Sequence, residues 1–384
     1  MKIAFIIPGL GIGGVETVFI NLLSAMEQYS DAEIYVFSHN KITEPIYKEF
    51  FEQHKNIKLC IYYPSAKLFN DIQKYCRITP LKQIRQLFFH IYKFFKNRQI
   101  GKKITKMHFD AVIDYVTCSA YKQLRYIKNT KTMTFIHGRF NGLPYSRTRH
   151  FSLYDKIVVL TDKALEDAKQ KYPEYANKFV RIYNIVDTKR VHEISRNKIR
   201  DFGKYFLSVS RLDFDKDIAT IIKAFDTFYK SNKRPDCKLI IIGDGNNKTN
   251  LELLAKQLKS NGNILFMGKI PEPYNYMHNA IAHILSSNSE AFGSVLIESG
   301  ASETLNIASD CSDGPREILN NGNFGVLFQP GNVDELSKIM SDVWCKKIDR
   351  DLLIKNMSES IDRFEPKTIS KQFVKTIKQA NKSN

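Results

Sequence analysis

The stretch Ser287–Asp310, SNSEAFGSVLIESGASETLNIASD, sets the frame for the rest of the chain. A short β-like run, Ala282–Leu285, precedes it. After Gly293 the apolar positions Val295, Leu296, Ile297 and Ala301 recur at mostly helical spacing. The pattern predicts strand, loop and helix, with Gly293 at the turn and Ser294 as the N-cap. Glu290 then falls in the loop at the C-terminal end of a strand, the edge where open α/β sheets bind ligands. Glu298 falls early in the helix and reaches toward the same crevice. The free N–H groups of Phe292, Gly293, Ser294 and Val295 would face an anion, with the helix dipole assisting.

Outward from there, 384 residues suit two α/β domains with an ample core. No apolar run approaches the roughly 18–20 residues a transmembrane helix needs. The start, MKIAFIIPGLGIGG, carries one Lys and a short apolar run that soon meets glycines. It reads as a buried strand entering a loop rather than as a signal peptide. Cys60, Cys76, Cys118, Cys237, Cys311 and Cys345 show no C-x-x-C and no zinc spacing, which fits structural thiols in a reducing cytosol. The formal net charge of +18 implies anionic company: nucleic acid, acidic substrates or an anionic membrane surface. There are no internal repeats and no low-complexity segment.

Lys2–Pro8 reads as a central parallel strand, followed by a glycine loop and a helix carrying Val18, Phe19, Leu22, Leu23 and Met26 at helical period. Strand Ile34–Phe37 completes a βαβ opening. Gly9, Gly11 and Gly14 match G-x-G-x-x-G, but Ser38-His39-Asn40 stand where a dinucleotide site needs an acid. Strands follow at Ala111–Asp114, Thr132–Ile136 (ending in His137-Gly138), Lys156–Leu160 and Phe179–Tyr183, and Thr161-Asp162 caps a helix. Residues 188–203 are polar and read as a linker. A second α/β domain opens at Tyr205–Ser210, which runs into Arg211-Leu212-Asp213-Phe214-Asp215-Lys216. Helix Ile218–Tyr229, strand Lys238–Ile242, loop Gly243-Asp244-Gly245, strand Ile264–Met267 and strands Asn306–Ser309 and Gly325–Phe328 continue the alternation.

Between Ser65 and Met107 eleven basic residues meet one acid, Asp71. Read as a helix, Leu81–Lys96 places Lys82, Arg85, Lys93 and Lys96 in one arc, with Phe89 inside it. Leu81, Ile84, Phe88, Ile91 and Phe95 gather on the other side. That is the pattern of an interfacial membrane helix, or of a surface helix packing its apolar side on the first domain.

The E-x7-E pair Glu290 and Glu298 with Phe292-Gly293 between, Gly13-Gly14-Val15-Glu16, His137-Gly138, and Arg211-Leu212 with Lys216 occur in the order seen in one family. The chain resembles, over most of its length, retaining glycosyltransferases of GT-B fold, the family 4-like bacterial surface polysaccharide type. The resemblance implies two Rossmann-like domains facing across a cleft. Residues 1–187 would form the acceptor domain with its basic segment 65–107, 188–365 the nucleotide-sugar donor domain, and 366–384 a helix returning to the first domain plus a polar tail.

It also implies roles. Arg211 and Lys216 would stabilise the departing diphosphate, the one by a two-oxygen fork and the other by a mobile point charge. The amides of Phe292, Gly293, Ser294 and Val295 would help. Glu290 would orient the transferred sugar, and Glu298 would accept hydrogen bonds from the ribose hydroxyls. His137, Gly13 and Gly14 would complete the site from the first domain, while Glu16 either touches the acceptor or caps its helix. Asp213-Phe214-Asp215 is a D-x-D, but GT-B enzymes offset phosphate charge with protein cations, so no metal and no cofactor are expected. Glu303, Thr304 and Leu305 stand where such enzymes usually have a Gly-x-Pro turn.

The expected activity is retaining transfer of a hexose or N-acetylhexosamine, UDP-linked, to a lipid-anchored saccharide of lipopolysaccharide or capsule synthesis. The expected setting is the inner face of a bacterial cytoplasmic membrane, held by residues 81–96 on an anionic surface, with no nucleic acid. The rival readings are a UDP-sugar 2-epimerase and a basic nucleic-acid-binding protein; against the latter, no binding motif accompanies the charge.

Overall fold

The computed structural model describes residues 1–11, 13–63, 79–233 and 235–380, with backbone only at 62, 63 and 79–90. The chain divides into two compact units, Met1–Ile185 with Pro366–Asn384, and Val186–Glu365. In the first, β1 (Lys2–Ile7), β2 (Glu33–Asn40), β3 (Ile57–Tyr63), β4 (Ala111–Asp114), β5 (Lys131–Phe135), β6 (Lys156–Val159) and β7 (Phe179–Arg181) build one sheet. Its order is β3-β2-β1-β4-β5-β6-β7, and the pairs are parallel. Ile3 to Ile7 are buried, as a central strand covered on both faces demands. Phe5 packs edge-on against Phe19 of the helix Gly14–Tyr29 at 5.5 Å and stacks on Phe373 of the helix Pro366–Gln379 at 6.0 Å. That last helix is also held by Lys131, whose Nζ donates to the carbonyls of Ile377 and Lys378 at 3.0 and 2.9 Å.

The second unit repeats the scheme with β8 (Tyr205–Val209), β9 (Lys238–Ile242), β10 (Ile264–Gly268), β11 (Ala282–Leu285), β12 (Asn306–Ser309) and β13 (Val326–Phe328). These six strands run parallel in the order β10-β9-β8-β11-β12-β13. Both halves of the expected α/β, two-Rossmann chain are therefore present. In each sheet the strand order reverses once, between β1 and β4 and between β8 and β11, which opens a crevice at the carboxyl edge.

Residues 188–203 are not a linker throughout. Thr188–Ser195 is a helix of the second unit, capped by Asp187, whose Oδ1 accepts from Arg190 N at 3.1 Å. It reads as polar because only Thr188, Val191 and Ser195 turn inward. The basic segment does carry a helix, Thr79–Lys106, longer than the expected Leu81–Lys96. The side chains of Leu81, Lys82, Ile84, Arg85, Phe88 and Phe89 lie outside the described residues, as do Lys67, Asp71, Lys74, Cys76 and Arg77. Where side chains are described, Ile91 and Phe95 remain 44% and 58% exposed. No helix among the described residues is long and apolar enough to cross a membrane. The described cysteines are free thiols.

Candidate active site

At the crevice of the second sheet, the loop after β8 meets the loop after β11. Lys216 Nζ donates to Glu290 Oε1 at 2.7 Å, across 74 residues of sequence, and both side chains are only 14% exposed. Glu290 is held further by Ser287, whose Oγ donates to the same oxygen at 2.7 Å, while Ser312 Oγ donates to the Glu290 carbonyl at 2.6 Å. Backbone ties lock the two loops together. Asn288 N donates to Asp215 O at 2.8 Å, and Ser286 Oγ donates to the carbonyls of Lys216 and Asp217, both at 2.9 Å. Ser286 and Ser287 are fully buried, so these bonds work where water cannot compete.

Arg211 stands on the same loop, 61% exposed, and leans on Asp213 and on Asp215, the latter at 3.5 Å. Asp215 in turn lies 3.5 Å from Lys216. The D-x-D thus serves as counter-ion to Arg211. A third loop, after β9, braces this one through two glycines that tolerate no side chain. A Cβ on Gly243 would sit 1.8 Å from the Ser210 carbonyl oxygen, and one on Gly245 would sit 2.6 Å from Leu212 backbone.

The helix Ser294–Ala301 begins beside Glu290, and the N-cap is Gly293 rather than Ser294. Gly293 has φ 96°, a left-handed turn that a residue with Cβ resists, so the cap falls one residue earlier than expected. Gly293 has no side chain with which to cap this end, and the first-turn amides of Ser294 and Val295 stand at the helix start beside Phe292. Glu298 lies on that helix, half-buried, with desolvation pushing its pKa up to about 7. Tyr274 is near enough for the Glu298 charge to help raise its phenol, after burial itself.

The turn after this helix keeps its shape without the usual glycine and proline. Glu303 takes φ 57° at the position after the cap. Glu303 N donates to Gly300 O at 3.0 Å and Thr304 N to Ser299 O at 3.1 Å, the paired bonds of a Schellman ending. Glu303 is held by Arg196 at 2.6 Å and lies 3.7 Å from His192. Thr304 Oγ1 donates to Met277 O at 2.6 Å, and Leu305 is buried in the core.

In the first unit, Gly13 is the extended N-cap of the helix Gly14–Tyr29, at the end of the loop after β1. Glu16 folds back over it, so that a Cβ on Gly13 would lie 2.7 Å from its Oε2. His137 follows β5. Its ring contacts Tyr115 with centroids 4.6 Å apart, and its Nε2 donates to the Tyr115 carbonyl at 2.8 Å. Burial holds its pKa down, at about 4. The ring is therefore neutral with the proton on Nε2, and Nδ1 is a buried acceptor with no partner among the described residues. Tyr115 Oη is likewise buried and unpartnered.

Glu290, Lys216, Arg211 and the helix start at Phe292–Val295 belong to one neighbourhood of the second unit. Gly13, Gly14, Glu16 and His137 lie along one sheet edge of the first. The sequence reading missed Ser287, Ser312 and the bracing glycines. Only the glycine spacing after β9 was a signal, since a serine beside a glutamate has no distinctive pattern.

Residues 190–359 match the family model described as Glycosyl transferases group 1. The chain is 29% identical over 210 residues to the N-acetylgalactosamine-N,N'-diacetylbacillosaminyl-diphospho-undecaprenol 4-alpha-N-acetylgalactosaminyltransferase of Campylobacter jejuni. That match covers 54% of this chain and 56% of the relative, little more than half of either. It is 25% identical over 343 residues to the lipopolysaccharide 1,6-galactosyltransferase of Salmonella typhimurium, covering 87% of each. Among solved structures, Anabaena Alr3699/HepE in complex with UDP-glucose superposes with a TM-score of 0.72 at 18% identity, covering 98% of this chain and 99% of that one, a likeness of fold.

Proposed function

We propose, on the premise that residues 190–359 form a group 1 glycosyl transferase domain, that this chain is a retaining, metal-independent glycosyltransferase. It moves a hexose or N-acetylhexosamine from UDP to a lipid-anchored saccharide of lipopolysaccharide or capsule synthesis. The observation that carries this reading is the half-hidden Lys216–Glu290 pair at the strand-order reversal of the second sheet, beside the helix start at Gly293. A diphosphate arriving there offers Lys216 and Arg211 a stronger anion than their present carboxylates, and its charge grows as the sugar leaves. Glu290, released from Lys216, faces the sugar and favours positive charge at the anomeric carbon. The first-turn amides from Phe292 to Val295 add fixed donors. Glu298 accepts from the ribose hydroxyls in its ionised form. In the first unit, His137 Nδ1 is a neutral acceptor suited to a sugar hydroxyl, Gly14 leaves backbone open to the donor, Gly13 does so once Glu16 swings off it, and Glu16 is assigned to the acceptor.

The acceptor's lipid is supported by the relatives' names and by the exposed apolar residues of the basic helix, which fit a peripheral protein on an anionic membrane face. The test is incubation with UDP-glucose, UDP-galactose, UDP-GlcNAc or UDP-GalNAc, with and without a polyisoprenyl-linked saccharide. Product with retained anomeric configuration, formed only when acceptor is present, is expected. Donor consumption without acceptor would instead make it an epimerase.

A further inference from the structure

The first unit holds a cleft of about 620 Å3 that none of the roles above uses. Lys93 and Asn97 of the basic helix form one wall, Lys122 and Arg125 of the segment after β4 another, and Arg149 and His150 close it. Among the described residues no carboxylate lines it, and none pairs with Lys122, Arg125 or Arg149. The cations are fixed by neutral groups instead. Tyr121 stacks on His150 with centroids 3.9 Å apart and planes 12° off parallel. Lys122 and Arg125 lie over the Tyr121 ring at 5.7 and 5.9 Å, and Arg149 Nε donates to His150 Nε2 at 3.3 Å. Asn97 is pinned by Gln123, whose Nε2 donates to Asn97 Oδ1 at 2.8 Å.

Like charges therefore crowd the described lining of this pocket. Desolvation and then Lys122 hold the Lys93 ammonium below its usual range, and desolvation followed by Arg149, Arg125 and Arg147 does the same to His150. Such a field calls for an anion of more than one charge. An apolar rim adjoins it. Phe94 lines the cleft while 54% exposed, packs edge-on against Phe95 at 5.6 Å and approaches Tyr126 at 6.4 Å. Ile91 and Phe95 continue the exposed rim. A dense anion joined to an apolar tail matches both halves at once.

We propose that this cleft binds the diphosphate that joins a lipid to its saccharide, with the tail leaving over Phe94 and Phe95. The proposal rests on the lipid-anchored acceptor argued above and names its anchoring group. A phospholipid headgroup offers related chemistry with a single charge, and the test separates the two.

The full chain, with its other diphosphate site saturated by UDP, is titrated calorimetrically with farnesyl diphosphate and with inorganic pyrophosphate. Wild type should bind both, farnesyl diphosphate more tightly. Lys122→Gln/Arg125→Gln/Arg149→Gln should weaken both by at least about tenfold, given the strength of charge-assisted contacts, with UDP affinity unchanged as the check on folding. Phe94→Ser/Phe95→Ser should weaken farnesyl diphosphate alone. Unchanged affinity in the triple variant overturns the proposal. So does full displacement of farnesyl diphosphate by phosphatidylglycerol vesicles at equal accessible phosphate, which would assign the cleft to headgroups. Loss of UDP binding in wild type would count against the glycosyltransfer reading and leave the pyrophosphate result to speak for the cleft.

Discussion

Beside the strand reversal of the second unit, Arg211 rests on Asp213 and Asp215, and Lys216 on Glu290. In the cleft of the first unit, Lys122, Arg125 and Arg149 stand around stacked aromatic rings with no acid among the described lining residues. The two arrangements store positive charge at different cost. A paired cation is held in position before any ligand comes, and binding exchanges one anion for another. An unpaired cluster destabilises its own fold by repulsion until an anion arrives. The first suits a step in which charge appears and departs within a turnover; the second suits a group that stays bound.

The sharpest way to break this contrast is Arg211→Ala. Because the charge it meets is greatest as the sugar leaves, kcat should fall by about 10²–10³-fold, while UDP affinity by calorimetry changes far less. An equal loss in both would put Arg211 among simple binding groups.

A smaller effect separates the two charge stores by stability. Lys216→Met leaves the Glu290 carboxylate 14% exposed without its cation, which should cost about 1–3 kcal/mol. Adding Glu290→Gln should recover much of that. Arg125→Gln, by contrast, removes one of several like charges and should be neutral or stabilising, by up to about 0.5 kcal/mol. Urea melts of the four proteins read all three outcomes.

The last prediction uses pH. Desolvation raises the Glu298 carboxyl from 4.5 to about 7, so the folded state holds this proton more tightly than the unfolded chain does. Its contribution to stability is complete below pH 4.5 and is lost as pH rises through about 7, at most about 3 kcal/mol. Glu298→Gln should flatten that part of the stability profile. Buried Asp114, held at about 6, keeps a slope of the same sign, lost as pH climbs through about 6. UDP affinity should rise with pH through about 7 in wild type and lose that rise in Glu298→Gln; a profile shared by both proteins would detach Glu298 from the ribose.

Much of the scaffold was legible because parallel strands buried on both faces leave continuous apolar runs. Ala282–Leu285, Lys238–Ile242 and Asn306–Ser309 were readable to the residue. Ile57–Tyr63 went unread: as an edge strand it leaves Lys58 and Ile61 exposed, so burial does not discipline its pattern. Thr188–Ser195 was hidden by having a polar outer face. In the site, Glu290 and Lys216 could be named from their resemblance to family motifs, but their direct bond could not, since it joins two loops across 74 residues of sequence. The cap at Gly293 instead of Ser294 turned on a backbone angle that no composition encodes. The cleft was least visible, because each of its cations, taken singly, looks like an ordinary solvated charge.

Glu303 has a further consequence. At φ 57° it bears the strain that glycine would escape, roughly 1 kcal/mol, and its tether to Arg196 spans partly exposed side chains, 49% and 39% accessible. Surface ion pairs fade as salt rises, whereas backbone strain does not. The ending of the Glu298 helix is therefore firm in dilute buffer and looser in brine, an ionic-strength dial that a glycine at the same place would never have given it.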